Sequence, residues 1–255
     1  MKKEKIVLKL LNILAKKLNI TINYGDYKHN RLIFRGICNQ LPPTEFDDDF
    51  YDLQDKLLSI ERIEKGIVDV NNLLYKNNIA HFNGDITALK AGAIVNAAND
   101  EYLGCFVPCH NCIDNIIMSC AGFQMRNELS DIKRQNDYDK QIVKVTRGYN
   151  LPCKYVFHIA GPIIYDNVSD KQKIDLKNCY LYCLDKAKEM GLRNIVFCCI
   201  STGEYNFPNK LACEIAVRTV IDWLKENEYC LNVVFDTFKN VDKELYNERL
   251  SKKNW

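Results

Sequence analysis

A layered α/β domain preceded by a helical extension is the fold class this sequence predicts, and three observations carry it. From Ile79 onward, short apolar runs alternate with longer stretches of helical period. That alternation is the pattern of strands and helices layered on a mostly parallel or mixed sheet. Residues 1–75 lack it and read as helices alone, which separates a helical N-terminal extension from an α/β domain over residues 76–255. Composition agrees: of 255 residues, 47% are hydrophobic and 27% charged, the balance of a soluble globular chain with a sizeable core.

The elements follow in order. In the extension, residues 5–18 and 47–69 have helical period. They are joined by a stretch holding Arg35-Gly-Ile-Cys-Asn-Gln-Leu-Pro-Pro, and Pro42-Pro43 before Thr44 reads as a helix entry. Strands are expected over residues 79–82, 93–96, 142–147, 155–159, 194–200 and 231–235. Helices are expected over residues 114–129, with Ile117, Cys120, Ala121 and Gln124 along one side, and over 171–190 and 210–225. Gly191 supplies the C-terminal stop of the second of these.

Composition also excludes several functions. The formal net charge is +2, with both signs mixed along the chain, so a main task of gripping a nucleic-acid backbone is not expected. No stretch approaches the roughly 18 unbroken apolar residues of a membrane span. The apolar run that starts at Ile6 is interrupted by Lys9 and Asn12, and no small-residue cleavage site follows. It reads as an amphipathic helix, and the protein as cytoplasmic. Twelve cysteines in a chain of this length, without a leader, do not suggest a disulfide framework. Cys179, Cys183, Cys198 and Cys199 fall on apolar stripes and read as small core hydrophobes.

The chemistry concentrates in four loops. The most informative is Cys105-Phe-Val-Pro-Cys109-His110-Asn-Cys112. Cys105, His110 and Cys112 are either part of a cysteine-rich turn without metal or are spaced to hold one zinc ion with a fourth position open, the catalytic rather than the structural arrangement. Recruiting Cys109 too would force adjacent residues onto one ion. Gly84-Asp85-Ile86-Thr87 is either a plain turn or a carboxylate that accepts from an exocyclic amine beside free backbone N–H groups. Asn96-Ala-Ala-Asn99 lets backbone approach closely while its amides reach for a sugar diol. Asp114 is either a helix N-cap or a carboxylate that orients a hydroxyl or a water. Ser201-Thr202-Gly203-Glu204-Tyr205 joins a strand to a helix and can offer successive N–H groups to a phosphate.

Taken together, Gly84-Asp-Ile-Thr, Val95-Asn-Ala-Ala-Asn and Ser201-Thr-Gly, in this order, resemble a macrodomain, an α/β/α sandwich with a mixed central sheet that binds ADP-ribose. The insertion from Gly104 to Asn115 resembles the zinc-containing branch of that family, protein-ADP-ribose hydrolases some of which are encoded beside a sirtuin-type ADP-ribosyltransferase. Arg35…Leu41-Pro-Pro and Gln54-Asp-Lys-Leu-Leu look like the helical extension of that branch.

The resemblance implies that Asp85 and Ile86 hold adenine and that Asn99 meets a ribose hydroxyl. It implies that Cys112, Ile113 and Asp114 line the distal ribose and pyrophosphate. Ser201, Thr202, Gly203, Glu204 and Tyr205 supply the second phosphate loop, with only the backbone of Glu204 facing the anion. Cys109 is a departure: idle, oxidised, or an occasional fourth ligand.

The implied activity is release of mono-ADP-ribose from protein side chains, with Asp or Glu esters as the expected linkage and one zinc ion per chain as Lewis acid or water activator. Asn99 and Asp114 are the expected catalytic positions. The rivals are an ADP-ribose reader without catalysis and an O-acetyl-ADP-ribose deacetylase.

Overall fold

The computed structural model describes residues 1–135 and 142–252. In chain order the elements are α1 (Lys3–Leu18), α2 (Tyr27–Gln40), α3 (Asp48–Lys65), β1 (Val68–Asp69), β2 (Ile79–Asn83), β3 (Leu89–Lys90), β4 (Ala93–Ala98), α4 (Ile113–Ala121), α5 (Gln124–Lys133), β5 (Lys144–Arg147), β6 (Tyr155–Ala160), α6 (Asp170–Glu189), β7 (Asn194–Phe197), α7 (Asn209–Glu226), β8 (Asn232–Thr237) and α8 (Asn240–Ser251). Six strands form one sheet in the order β2-β8-β7-β4-β6-β5, parallel except for β5, which runs antiparallel to β6 at the edge. Helices α4 and α5 pack on one face, and α6, α7 and α8 on the other. The fold is therefore the mixed-sheet α/β/α sandwich of the macrodomain resemblance, with helices at its N-terminus. No helix among the described residues is long and apolar enough to cross a membrane.

Sheet geometry places the site. After β4 the chain turns to one side of the sheet, toward β6 and β5, whereas β7 and β8 lie on the other. That reversal is where open α/β sheets bind ligands, outside the carboxyl ends of the strands. Register opens the gap further. β4 stays paired with β6 as far as Ala98↔Ala160, but its ladder with β7 stops at Ile94↔Val196. The strand expected over 194–200 accordingly ends at Phe197, and Cys198–Ile200 leave the sheet.

Other expectations need correction, each for a physical reason. The connecting stretch around Arg35 is helix α2, opened by the Asp26 carboxylate accepting from the His29 N–H at 2.8 Å. Its inward face carries Asn30, Asn39 and Gly36 beside Phe34, so apolar periodicity does not mark it. Pro42-Pro43 does not start a helix; α3 begins at Asp48, capped by Asp47, and stops at Gly66, whose φ is +88°. The helix expected over 114–129 is two helices, because Gly122 takes φ +104° and the freed Phe123 N–H donates to Gln54 Oε1 at 2.8 Å. Helix α8 escaped sequence reading, since only Asp242 and Tyr246 of it are buried. Cys179, Cys183 and Cys198 are buried as expected, but Cys199 is half-buried and lines the ligand cleft.

Among the described residues there are two apolar cores. The larger lies between the sheet and its flanking helices. The smaller is formed by Ile6, Val7, Leu10, Leu11, Leu14, Phe34, Phe50 and Leu57 of α1–α3, together with Phe123 from the junction of α4 and α5. Phe50 is fully buried, stacks on Phe46 at 3.9 Å between ring centroids, and Phe46 meets Phe123 edge-on at 5.2 Å. The extension is thus joined to the sandwich through aromatic packing. Phe50→Ala should cost about 3–5 kcal/mol of folding free energy, read from urea unfolding of the full chain. A loss below about 1 kcal/mol would mean that this core contributes little to cooperative folding.

Candidate functional site

A cleft of about 470 Å³ opens at the carboxyl ends of β2, β4, β6, β7 and β8. Asp85, Ile86, Asn99, Cys105, His110, Cys112, Ile113, Asp114, Ser201, Thr202, Gly203, Glu204 and Tyr205 all line it. Four loops separated by up to 120 residues therefore meet at one edge of the sheet, because the strands that carry them are parallel.

At one side of the cleft Cys105, His110 and Cys112 bring their ligand atoms within 4.8 Å of one another, and among the described residues this is the cluster whose donors suit a metal. Cys105 Sγ lies 3.6 Å from His110 Nδ1. Tetrahedral zinc with Zn–S of about 2.3 Å and Zn–N of about 2.0–2.1 Å separates two such donors by roughly 3.6 Å. The donor set fits zinc in both chemistry and spacing. Cys109 stands apart: with φ at +53° its thiol turns toward α2 and donates to the Leu32 carbonyl at 3.3 Å. Three residues converge, not four. His110 Nε2 lies 3.7 Å from Glu204 Oε1, so the Glu204 side chain reaches across to the metal loop instead of pointing away.

Cys112 is the N-cap of α4, its Sγ accepting from the Asn115 N–H at 3.4 Å. Burial nevertheless pushes its thiol up to about 12. Because Cys112 holds the cap, Asp114 does not. The Asp114 side chain is buried and accepts from Asn96 Nδ2 at 2.7 Å and from Asn99 Nδ2 at 3.4 Å. Burial raises its carboxyl to about 6. The sequence placed Asn96 among groups reaching for a sugar; it lies fully buried under Asp114 instead. Its amide also meets His158 Nδ1 at 3.0 Å, and His158 Nε2 meets Thr146 Oγ1 at 2.9 Å. Burial lowers His158 to about 3, so the ring is neutral.

The opposite end of the cleft is built on Asp85. Its Oδ1 accepts from the Thr87 N–H at 2.9 Å and hydroxyl at 2.6 Å, and its Oδ2 pairs with Lys65 Nζ at 2.8 Å. Burial alone would raise this carboxyl, but the Lys65 and Thr87 hydrogen bonds outweigh it and hold Asp85 below the usual range. Lys65, Asp236 and Phe238 were not picked out from the sequence. Phe238 is 77% exposed, a large apolar ring presented at the cleft. Asp236 is buried with Oδ1 unpartnered among the described residues. Burial, and then the nearby Asp85 charge, raise Asp236 to about 8.

Residues that line the cleft between the two ends carry unpaired backbone N–H groups. Those of Gly203, Glu204 and Tyr205 have no acceptor within the described residues, and neither do those of Ile113 and Asp114 in the first turn of α4. Such groups, at a loop and at a helix N-terminus, favour an anion. Ser201 takes φ +65°, and a Cβ at Gly161 would fall 2.1 Å from its Oγ. Only glycine at 161 lets the end of β6 approach the loop this closely.

Comparison with known proteins now bears on these features. Residues 95–216 match the model of the macro domain. The chain is 40% identical over 234 residues to a protein-ADP-ribose hydrolase of Treponema medium, covering 89% of each chain. It is 43% identical over 225 residues to a protein-ADP-ribose hydrolase of Staphylococcus aureus, covering 86% of this chain and 84% of that one. Among solved structures it is similar to the Trypanosoma brucei macrodomain in complex with ADP-ribose, at 27% identity and a TM-score of 0.65, covering 85% of this chain and 95% of that one. With the fold, the cleft and extensive similarity to these hydrolases in agreement, this chain belongs to the macrodomain family.

Proposed function

We propose that this chain is a zinc-dependent hydrolase that releases mono-ADP-ribose from modified protein side chains, with acyl esters of Asp or Glu as its linkage. The observation that carries the reading is the position of Cys105, His110 and Cys112, in the same cleft as Asp85 and the free N–H groups of Gly203–Tyr205. An ADP-ribose-sized ligand spans that cleft, with a metal-binding triad at the end away from Asp85. The relatives named as protein-ADP-ribose hydrolases support the reaction class. The resemblance of the metal loop to the sirtuin-linked branch supports a sirtuin-type transferase as the opposing activity.

In this reading adenine lies at Asp85 and Ile86, with Phe238 offering its exposed face to the ring. The pyrophosphate meets the N–H groups of Gly203, Glu204 and Tyr205 and those of the first turn of α4. This remote binding energy positions the distal ribose. Cys105, His110 and Cys112 would hold a zinc ion, which would supply a Lewis acid at the reacting end. Asn99 and Asp114 orient the ribose hydroxyls and the attacking water, and Asn96 keeps the Asp114 carboxylate aimed. Glu204, facing His110 Nε2, steadies the imidazole whose other nitrogen faces Cys105.

Release of ADP-ribose from a mono-ADP-ribosylated protein should rise with bound metal to a maximum near about one zinc per chain. Cys112→Ala should lose both metal and turnover. Tight ADP-ribose binding by zinc-loaded protein that releases nothing would leave the chain a reader. Faster turnover of O-acetyl-ADP-ribose than of any modified protein would make it a metabolite deacetylase.

Asp236 gives a separate test at the adenine end. Its folded pKa of about 8 lies above the unfolded value of roughly 3.9. The native state therefore binds the extra proton between those values. The stability this contributes is full below about pH 4 and is lost as pH rises through about 8. Asp236→Asn does not titrate, so its stability relative to the natural chain should increase steadily from pH 4 to pH 9 in urea unfolding. A difference that stays flat across that range would mean that Asp236 ionises as freely when folded as when unfolded.

A further inference from the structure

The loop that carries the metal ligands is long and irregular. Between the end of β4 and the start of α4 the chain runs from Asn99 to Cys112 without a helix or strand. Tyr102, Gly104 and Cys109 in it take φ of +56°, +83° and +53°. A loop of this length with three left-handed residues has little local preference for one shape. Much of its hold comes from outside, and α2 is the outermost source of it.

Arg35 on α2 donates through Nη2 to the His110 carbonyl at 2.6 Å and to Asn115 Oδ1 at 2.7 Å. Asn115 is fully buried and passes the contact on, its Nδ2 donating to the Val107 carbonyl at 2.8 Å and the Cys105 carbonyl at 3.3 Å. Asn39 Oδ1, also from α2, accepts from the Cys109 N–H at 3.0 Å. The Cys109 thiol donates to Leu32, on the same helix. A Cβ at Gly36 would lie 3.6 Å from Cys109 Sγ, so loop and helix are in direct contact. The partners of these bonds are the backbones of Cys105 and His110, two of the three metal-site residues, and of positions between them. Yet no residue of α1, α2 or α3 lines the cleft.

We infer that α2 is a clamp for the metal-binding loop, with Arg35 and Asn39 as positioning residues that set the spacing of Cys105, His110 and Cys112 without touching ligand or metal. This rests on the zinc reading above for its purpose, though not for its geometry. A buried amide and a guanidinium that satisfy loop carbonyls make the loop shape costly to leave. Outer groups of this kind typically tune metal affinity by about 10–100-fold.

The test uses full-length Arg35→Ala and Asn39→Ala. Amide hydrogen exchange is followed over residues 104–112 in zinc-stripped protein, zinc affinity by competition with a chromophoric chelator, and ADP-ribose affinity by calorimetry. Exchange should accelerate in that loop while the β4, β6 and β8 amides keep their protection. Zinc affinity should fall by about 10–100-fold, with ADP-ribose affinity little changed. Unchanged loop exchange in both variants would overturn the clamp, as would acceleration spread evenly over the whole chain, which marks a merely structural role. If Arg35→Ala fails to fold, Asn39→Ala decides, since the bond it removes from the loop is the single one from Cys109. Localised acceleration in a protein whose natural form takes up no zinc would sustain the clamp and sink the zinc reading.

Discussion

A buried chain of side-chain hydrogen bonds, Thr146–His158–Asn96–Asp114, holds the site to the sheet. It crosses from β5 through β6 and β4 into the first turn of α4. Each member is almost wholly buried, so each must find its partner inside the protein or forfeit solvation. The Asn96 amide donates to both Asp114 and His158, which leaves His158 Nδ1 as acceptor and its Nε2–H as donor to Thr146. A neutral imidazole is what this arrangement needs, and burial supplies it. Because Asp114 is fixed this way, the start of α4 is fixed, and with it Cys112 at the cap and the N–H groups beside it. The metal ligand and the anion-receiving turn thus share one anchor.

The same logic explains how much of the cleft could be read from the sequence. Metal ligands, small-residue phosphate loops and the Gly84-Asp85 turn declare themselves by residue type over a few positions. Their convergence follows once the strands are parallel. What stayed hidden depends on contacts distant in sequence. Lys65 looks like an ordinary last-turn lysine until α3 brings it to Asp85. Asp236 ends an apolar strand, and only packing shows that it is buried without a partner at Oδ1. Asn96 reads from the sequence as a group reaching for a sugar and His158 draws no reading at all, and both turn out to be support beneath the site.

Misread elements share a cause. Periodicity detects helices that bury apolar faces. Helix α2 buries Asn39 against the metal loop, where it accepts from the Cys109 N–H, and Asn30 against the Gly25 backbone of the turn that precedes the helix. Its polar inner face is the trace of its task. The broken helix at Gly122 is similar. Gln54 from α3 takes over the Phe123 N–H, so the break and the extension require each other. Neither half of that pair is legible alone.

These contacts alter what the N-terminal helices are. Their aromatic core could be viewed as a separate body lying on the sandwich. A subset of the polar contacts argues otherwise, because it is directed at the two ends of one cleft. Lys65 holds Asp85 at one end, and Arg35 and Asn39 hold the metal loop at the other. Arg126 joins the system from the sandwich side, donating to the carbonyls of Cys38, Asn39 and Leu41 at the end of α2 and to that of Leu103 in the loop. One guanidinium therefore caps the helix and braces the loop together. Loosening α2 would free carbonyls at a helix end and backbone groups in the metal loop in the same event. The cost of both falls on any conformation in which the ligand triad comes apart, so the extension is better described as an outer brace of the site than as an appendage to it.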